Sequence, residues 1–293
     1  PLADAKIAIG LASAPSPPTG LPTPQVARRA LRLGSLDSHT AAPRDNAIHF
    51  GEMAPTTALS IDELKKQAGV KAVDDYVRSG MVVGLGTGST AKYATERIGE
   101  LLKAGTLENV VGLATSQPTL ELAEAVGVPL ADINECGAVD VTIDGADEVA
   151  PNLDIVKGRM GGILRKKMIG MASKKYICIA DESKMVQGIG GSKGAVPVEV
   201  TKFGHQHVER CIKALPCLNV ARSEFKMAGD VKFVSDHGNY ILYLYFDEPI
   251  QDPRAASRAM MDVVGVLDHG MFLDLVDVAI VATKEGLKVQ ERA

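Results

Sequence analysis

Residues 81–90, MVVGLGTGST, decide the fold class because they join a short apolar run to a glycine-rich loop. The run has the composition of a buried strand, and a helix is predicted to follow over residues 90–104. Backbone N–H groups in such a loop attract an anion, as does the positive end of the following helix. Thr87, Ser89 and Thr90 add hydroxyl donors, so the loop is predicted to bind phosphate. The alternative interpretation is a tight turn with a helix cap.

The same alternation of strand and helix continues on both sides of this loop. Ser60 and Glu63 form a predicted capping box that starts a helix before the loop. After it, strands are predicted over residues 110–114, 139–143 and 176–180, with helices over residues 119–126 and 161–172. This succession predicts an α/β fold with a doubly wound, mostly parallel, Rossmann-like sheet.

The pattern changes after residue 196. Residues 197–272 read as a split β-α-β arrangement, which predicts a smaller α+β, ferredoxin-like domain. Within it, residues 225–234 are predicted to form one strand. A final hairpin, over residues 276–282 and 287–290, is predicted to rejoin the first sheet. Residues 59–196 and 273–293 are therefore assigned to one Rossmann-like domain.

Residues 1–58 differ from the rest of the chain and are predicted to be an extension. They hold eight of the fifteen prolines and carry five basic and four acidic residues. Arg28, Arg29 and Arg32 lie in the one stretch with helical periodicity. This composition is typical of an organelle transit segment, and a disordered linker is the alternative.

Composition excludes several classes of function. The chain has 32 Lys and Arg against 36 Asp and Glu, a net charge of −4, whereas nucleic-acid binding needs a basic excess. The most apolar stretches have strand length, so no membrane-spanning segment is predicted. The four cysteines form no C-x-x-C pair and are predicted to be free thiols.

Two further segments carry groups able to perform chemistry. Asp144, Asp147 and Glu148 follow a predicted strand at the sheet edge where α/β folds bind ligands. Acid–base chemistry is one interpretation of this cluster, and a solvated acidic loop or a metal site would look the same. Lys157 begins a second glycine-rich turn, which would either stabilise an oxyanion or form a basic surface turn. The six histidines lack metal-binding spacing and are predicted to be structural or exposed.

Taken together, these segments resemble the A-type ribose-5-phosphate isomerases, and the closest resemblance is to plant and algal chloroplast forms. The resemblance runs from about residue 61 to residue 289. The motifs that carry it lie in order at residues 84–90, 144–149, 157–169, 177–184 and 197–200. It implies interconversion of ribose 5-phosphate and ribulose 5-phosphate through a cis-enediolate, a reaction of the pentose phosphate pathway and the Calvin cycle, with no cofactor and no metal.

The resemblance also implies roles for individual residues. Asp144 and Asp147 would serve ring opening and hydroxyl binding, and Lys157 would steady the enediolate. The residues implied to hold the substrate and its phosphate are Lys65, Thr87, Gly88, Ser89, Thr90 and Lys184.

At one position the sequence departs from the family pattern. The family motif K-G-G-G-(G/A)-A-L-x-R-E-K aligns with KGRMGGILRKK at residues 157–167, so the proton-shuttling glutamate is replaced by Lys166. Met160 also replaces a glycine in the oxyanion turn. A charged Lys166 is expected to swing into water. The alternatives are that a neutral, desolvated Lys166 is itself the base, or that another carboxylate, with Glu148 as the candidate, takes over the proton transfer.

Two hypotheses follow from this departure. The first is an isomerase, slowed by Lys166, in an organelle, the chloroplast stroma. The second is a catalytically degenerate family member that acts as a structural subunit of a larger organellar assembly. The expected partners are a small sugar phosphate and either further copies of the chain or a larger complex held through residues 1–58.

Overall fold

The computed structural model describes residues 60–292, and the predicted extension at residues 1–58 lies outside the described residues. The six helices are α1 (Ile61–Tyr76), α2 (Ala91–Lys103), α3 (Gln117–Val126), α4 (Leu164–Met171), α5 (His205–Lys213) and α6 (Pro253–Met261). The strands are β1 (Val82–Leu85), β2 (Val111–Ala114), β3 (Val141–Gly145), β4 (Glu148–Val149), β5 (Ile155–Val156), β6 (Tyr176–Asp181), β7 (Val196–Val200), β8 (Arg222–Phe225), β9 (Met227–Ala228), β10 (Val231–Lys232), β11 (Tyr240–Tyr245), β12 (Val266–His269), β13 (Met271–Phe272), β14 (Val278–Thr283) and β15 (Gly286–Glu291).

A six-stranded sheet in the order β15-β14-β6-β3-β1-β2 forms the centre. Its strands pair in parallel, except that β15 is antiparallel to β14. The predicted mostly parallel sheet is confirmed, and the final hairpin rejoins it as predicted. Strand order reverses beside β1, so the carboxyl ends of β1 and β3 open into a crevice there.

Helices α1, α2 and α3 pack on one face of this sheet, and α1 contacts β6 and β14. The predicted capping box starts α1: the Ser60 hydroxyl accepts a hydrogen bond from the Glu63 N–H, and Glu63 accepts one from the Ser60 N–H. Alternate residues of β6 face opposite cores, with Ile177 and Ile179 on the side of α1 and Tyr176 and Cys178 on the other. The strand is buried on both faces, as its apolar composition requires.

The second sheet is antiparallel, with the order β12-β7-β11-β8. Helices α5 and α6 supply buried residues to its core. The order β-α-β-β-α-β along the chain is the predicted ferredoxin-like arrangement. Strand β7 begins at Val196, one residue before the predicted boundary, and the division into separate domains stays a prediction.

Three local features differ from expectation. The strand predicted over residues 225–234 is interrupted, because Gly229 adopts φ +64° and turns the chain between β9 and β10. The helix predicted from residue 161 begins at Leu164, since Gly161 at φ +104° still belongs to the turn. A three-stranded sheet of β13, β5 and β4 was not predicted, because two-residue strands leave no periodicity to detect.

None of the helices between residues 60 and 292 combines the length and apolar character needed to cross a membrane.

Candidate active site

The glycine-rich loop leaves β1 and runs directly against the end of β3. A Cβ built on Gly86 would lie 2.3 Å from Asp144 Oδ1, so only glycine permits this approach. The Thr87 N–H donates to Asp144 Oδ1 over 2.8 Å. The Thr87 hydroxyl lies 2.7–2.9 Å from three further hydroxyls, those of Thr115, Ser116 and Thr119. Both polar groups of Thr87 thus hold the loop in place, and its direct contact with phosphate stays a prediction.

A pocket of about 220 Å³ opens at these strand ends. Eight of the ten residues singled out from the sequence line it: Thr87, Gly88, Ser89, Thr90, Asp147, Lys157, Lys166 and Lys184. The other two do not line it but contact residues that do. Asp144 is buried beneath Lys157, and the Lys65 Nζ lies 3.4 Å from Ser89 Oγ and 3.4 Å from Asp181 Oδ2.

Asp144 and Lys157 form a buried ion pair at the base of the pocket. Their side chains are 1% and 5% exposed, and Lys157 Nζ lies 2.8 Å from Asp144 Oδ1. The same ammonium donates to the Gly145 carbonyl over 2.7 Å. Within the described chain, Asp144 Oδ2 is buried without a hydrogen-bond partner. Buried carboxylate oxygens are normally paired, so this unpaired oxygen is an exception among the described residues.

Asp147 is held by the second glycine-rich turn, because its Oδ2 accepts the Arg159 N–H over 3.0 Å. The Arg159 guanidinium lies 2.6 Å from Glu148 Oε1, and Glu148 also accepts the Gly190 N–H and the Ser192 hydroxyl. Glu148 is fully buried in these contacts and does not line the pocket. Glu148, the candidate for a replacement base, is therefore enclosed by other partners and does not reach the pocket.

Lys166 points into the protein. It is 5% exposed, and its Nζ lies 3.4 Å from the Thr115 carbonyl. A Cβ built on Gly162 would lie 2.8 Å from this nitrogen, so the glycine leaves the space that the amine occupies. Burial, followed by repulsion from Lys157, lowers the pKa of Lys166 to about 8. The expectation that Lys166 swings into water is wrong.

Two of the three glycines in the turn between Lys157 and Lys166 adopt the left-handed region, Gly158 at φ +101° and Gly161 at φ +104°. Met160 lies between them at the pocket mouth with 69% of its surface exposed. The Arg159 carbonyl accepts hydrogen bonds from Tyr243 of β11 in the second sheet and from Lys226, which directly follows β8 of the same sheet. The smaller sheet therefore holds the turn from outside.

Two residues of the site were missed in the sequence. Asp181 lines the pocket beside Lys65, and Arg159 anchors the turn. The position of Asp181 at the carboxyl end of β6 was a usable signal, because ligands bind at that edge. Arg159 gave no signal, since its partners Glu148 and Ser192 come from distant segments.

None of the histidines between residues 60 and 292 lines this pocket. His269 lies in another cluster, where its Nε2 contacts the Ser257 hydroxyl over 2.8 Å. Burial lowers the pKa of His269 to about 3. Between residues 60 and 292, no group of three or more His, Cys, Asp or Glu side chains is arranged to hold a metal ion.

Comparison with known proteins agrees with this geometry. Residues 111–286 match the family model described as ribose 5-phosphate isomerase A (phosphoriboisomerase A). The chain is 47% identical over 235 residues to the probable ribose-5-phosphate isomerase 2 of Arabidopsis thaliana, covering 80% of this chain and 88% of the relative. It is 42% identical over 263 residues to the probable ribose-5-phosphate isomerase 3, chloroplastic, of the same plant, covering 88% and 93%.

Solved structures give the same result. The ribose 5-phosphate isomerase from Plasmodium falciparum superposes with a TM-score of 0.76 at 38% identity, covering 78% of this chain and 98% of that one. A D-ribose-5-phosphate isomerase in complex with phospho-erythronic acid gives a TM-score of 0.75 at 35% identity, covering 80% and 100%. The resemblance predicted from the sequence is confirmed, and the chain belongs to the ribose 5-phosphate isomerase A family.

Proposed function

We propose that this chain interconverts ribose 5-phosphate and ribulose 5-phosphate, and that Lys166 slows the reaction. The observation that carries the proposal is the pocket lined by the glycine-rich loop, Asp147 and Lys157, the partner of Asp144. An aldose–ketose isomerisation needs these parts: a phosphate site, groups that move protons, and a cation beside the enediolate oxygen.

The phosphate site has both dipolar and charged components. Gly88, Ser89 and Thr90 line the pocket and directly precede α2, so we propose that their N–H groups and the Ser89 and Thr90 hydroxyls bind phosphate together with the positive helix end. Lys184 lines the pocket and Lys65 lies beside Ser89. A solved relative was captured with phospho-erythronic acid. We propose that the pocket of this chain accepts sugar phosphates whose carbon chains are similar in length to that of this ligand.

Proton transfer is the step that Lys166 impairs. A protonated amine has no lone pair to accept a proton. With a pKa of about 8, roughly nine-tenths of Lys166 is protonated at pH 7. Lys157, already hydrogen-bonded to the Gly145 carbonyl, would stabilise the negative oxygen of the enediolate. The proposal is therefore an intact binding site with a weakened base.

A coupled assay of ribose 5-phosphate isomerisation on the purified full chain, with calorimetry of ribose 5-phosphate binding, tests this proposal. We expect binding and slow turnover, with Lys103→Met, on the exposed end of α2, as a variant that leaves both unchanged. Absence of binding by folded protein would contradict the proposal. Binding without turnover would favour the structural-subunit alternative.

We further propose a plastid stroma location. One Arabidopsis relative is named chloroplastic, and residues 1–58 have the acid-poor composition of transit segments. A fluorescent fusion of the full chain in plant cells should colocalise with plastids, and cytosolic fluorescence would contradict this.

If residues 1–58 instead hold partners, deleting them should shift the elution volume of the native assembly while the melting temperature of the remaining chain stays unchanged.

A further inference from the structure

The amine of Lys166 differs from those of Lys157 and Lys65 in having no carboxylate partner among the described residues. Lys157 is paired with Asp144 at 2.8 Å, and Lys65 lies 3.4 Å from Asp181. Within residues 60–292, Lys166 Nζ has a single hydrogen-bond contact, the 3.4 Å approach to the Thr115 carbonyl. That distance is at the weak limit of a hydrogen bond. The nitrogen is therefore buried, lines the pocket and is held by little else.

The charges facing Lys166 come from several elements and partly cancel. Lys157 repels the ammonium, while Asp144, Asp147 and Asp236 attract it. Burial outweighs all of them, which lowers the pKa to about 8. A desolvated lysine beside a second cation is the arrangement that turns an amine into a nucleophile toward carbonyl groups.

We propose that Lys166 is an imine-forming residue, whose amine reversibly captures the open-chain carbonyl carbon of a pentose phosphate held in the pocket. This inference rests on the proposed function, because the pocket must first accept the sugar phosphate. It assigns to Lys166 a covalent step that isomerisation through an enediolate does not contain.

The step balances without any further reactant. The lone pair of neutral Nζ attacks the carbonyl carbon, and the carbonyl oxygen takes a proton to give a carbinolamine. Loss of that hydroxyl as water forms the C=N bond, and hydrolysis reverses it. Asp147, which lines the same pocket, is placed to carry protons between nitrogen and oxygen.

Borohydride trapping on the full chain tests the inference. The protein is incubated with ribose 5-phosphate and sodium cyanoborohydride at pH 8. Its peptides are then analysed by mass spectrometry for the mass added when one pentose phosphate is attached to a lysine through a reduced imine. At this pH the neutral fraction of Lys166 exceeds that of an ordinary lysine on the order of a hundredfold. We therefore expect labelling of Lys166 at least about tenfold above exposed lysines.

Two variants and a competing ligand distinguish labelling of Lys166 in the pocket from non-specific labelling of exposed lysines. Lys166→Met should lose the label, and Lys103→Met should keep it. Phospho-erythronic acid, which has no aldehyde, should suppress labelling by occupying the pocket. Peptide mapping of the wild type locates the adduct even if Lys166→Met folds poorly.

Calorimetry with ribose 5-phosphate distinguishes the two ways of failing. Binding heat with no label on Lys166, or with a label spread equally over exposed lysines, would overturn the imine and leave the proposed function standing. Absence of both heat and label would show that the pocket does not accept the sugar, and both proposals would fall.

Discussion

The two lysines of the pocket, Lys157 and Lys166, are almost equally buried but lie in opposite surroundings. Lys157 has a carboxylate at 2.8 Å and a carbonyl at 2.7 Å. Lys166 has one carbonyl at 3.4 Å and a cation nearby. The strand-end region that holds Lys157 keeps the pattern of its family, whereas the helix start that holds Lys166 departs from it. If the proposed function holds, binding and proton transfer are built by separate segments, and one can change while the other is preserved.

The largest expected difference is in stability. Lys157→Met should lower the free energy of unfolding by about 3–5 kcal/mol, because it leaves the buried Asp144 carboxylate without its cation. Lys166→Met should be neutral or stabilising at pH 7, since it removes an unpaired buried charge. Urea unfolding of both variants measures this. An equal loss of unfolding free energy in the two variants would show that Lys157 and Lys166 contribute equally to stability.

The second difference is in pH dependence. The pKa of Lys166 is about 8 in the folded chain and about 10.4 when unfolded, so between these values the unfolded state binds more protons. The free energy of unfolding should therefore rise with pH, by about 2 kcal/mol between pH 7 and pH 9.5. Urea unfolding at both pH values should show this gain in the wild type and not in Lys166→Met. If the unfolding free energies of the wild type and Lys166→Met changed with pH in the same way, the Lys166 ammonium would be exposed to water in the folded chain.

A third effect concerns rate. Lys166→Glu should raise isomerisation at pH 7 at least about tenfold, because a carboxylate is ionised and able to accept the proton there. The advantage should shrink as pH rises through about 8, where the wild-type amine loses its proton. Steady-state kinetics from pH 6.5 to pH 9 measure this ratio. A wild type that is faster than Lys166→Glu at every pH would make Lys166 itself the base.

The smallest effect is expected at Met160. Its side chain is 69% exposed at the pocket mouth, so replacing it by glycine removes little packing. Met160→Gly should raise the rate in the Lys166→Glu background roughly twofold to fivefold, under 1 kcal/mol, by opening the approach to the turn. The two effects need not add, since both residues act on one intermediate. A slower double variant would mean that Met160 helps to exclude water.

Much of this arrangement was predictable from the sequence because it is local or periodic. The capping box at Ser60 and the loop at residues 84–90 have short-range signals, and parallel strands bring their carboxyl ends to one edge. The resemblance then indicated which side chains meet there.

What the sequence could not predict depends on contacts between distant segments. Lys166 stays buried because Gly162 leaves it space and Thr115 supplies a carbonyl 51 positions away. Glu148 is unavailable because Arg159, Gly190 and Ser192 enclose it. Neither outcome is encoded in the composition or periodicity of the segment concerned.

The position of β14 also constrains how the chain is made on the ribosome. Strand β6, buried along all six residues, pairs with β14, but the whole second sheet is synthesised between them. Until residues 278–283 emerge, the nascent chain carries an apolar strand with an open edge, the kind of surface that pairs with other chains. Helix α1, the first helix of the described chain, likewise waits for β14 to complete its packing. The central sheet is therefore completed only after the entire second sheet has been synthesised, which makes its closure a late step of folding.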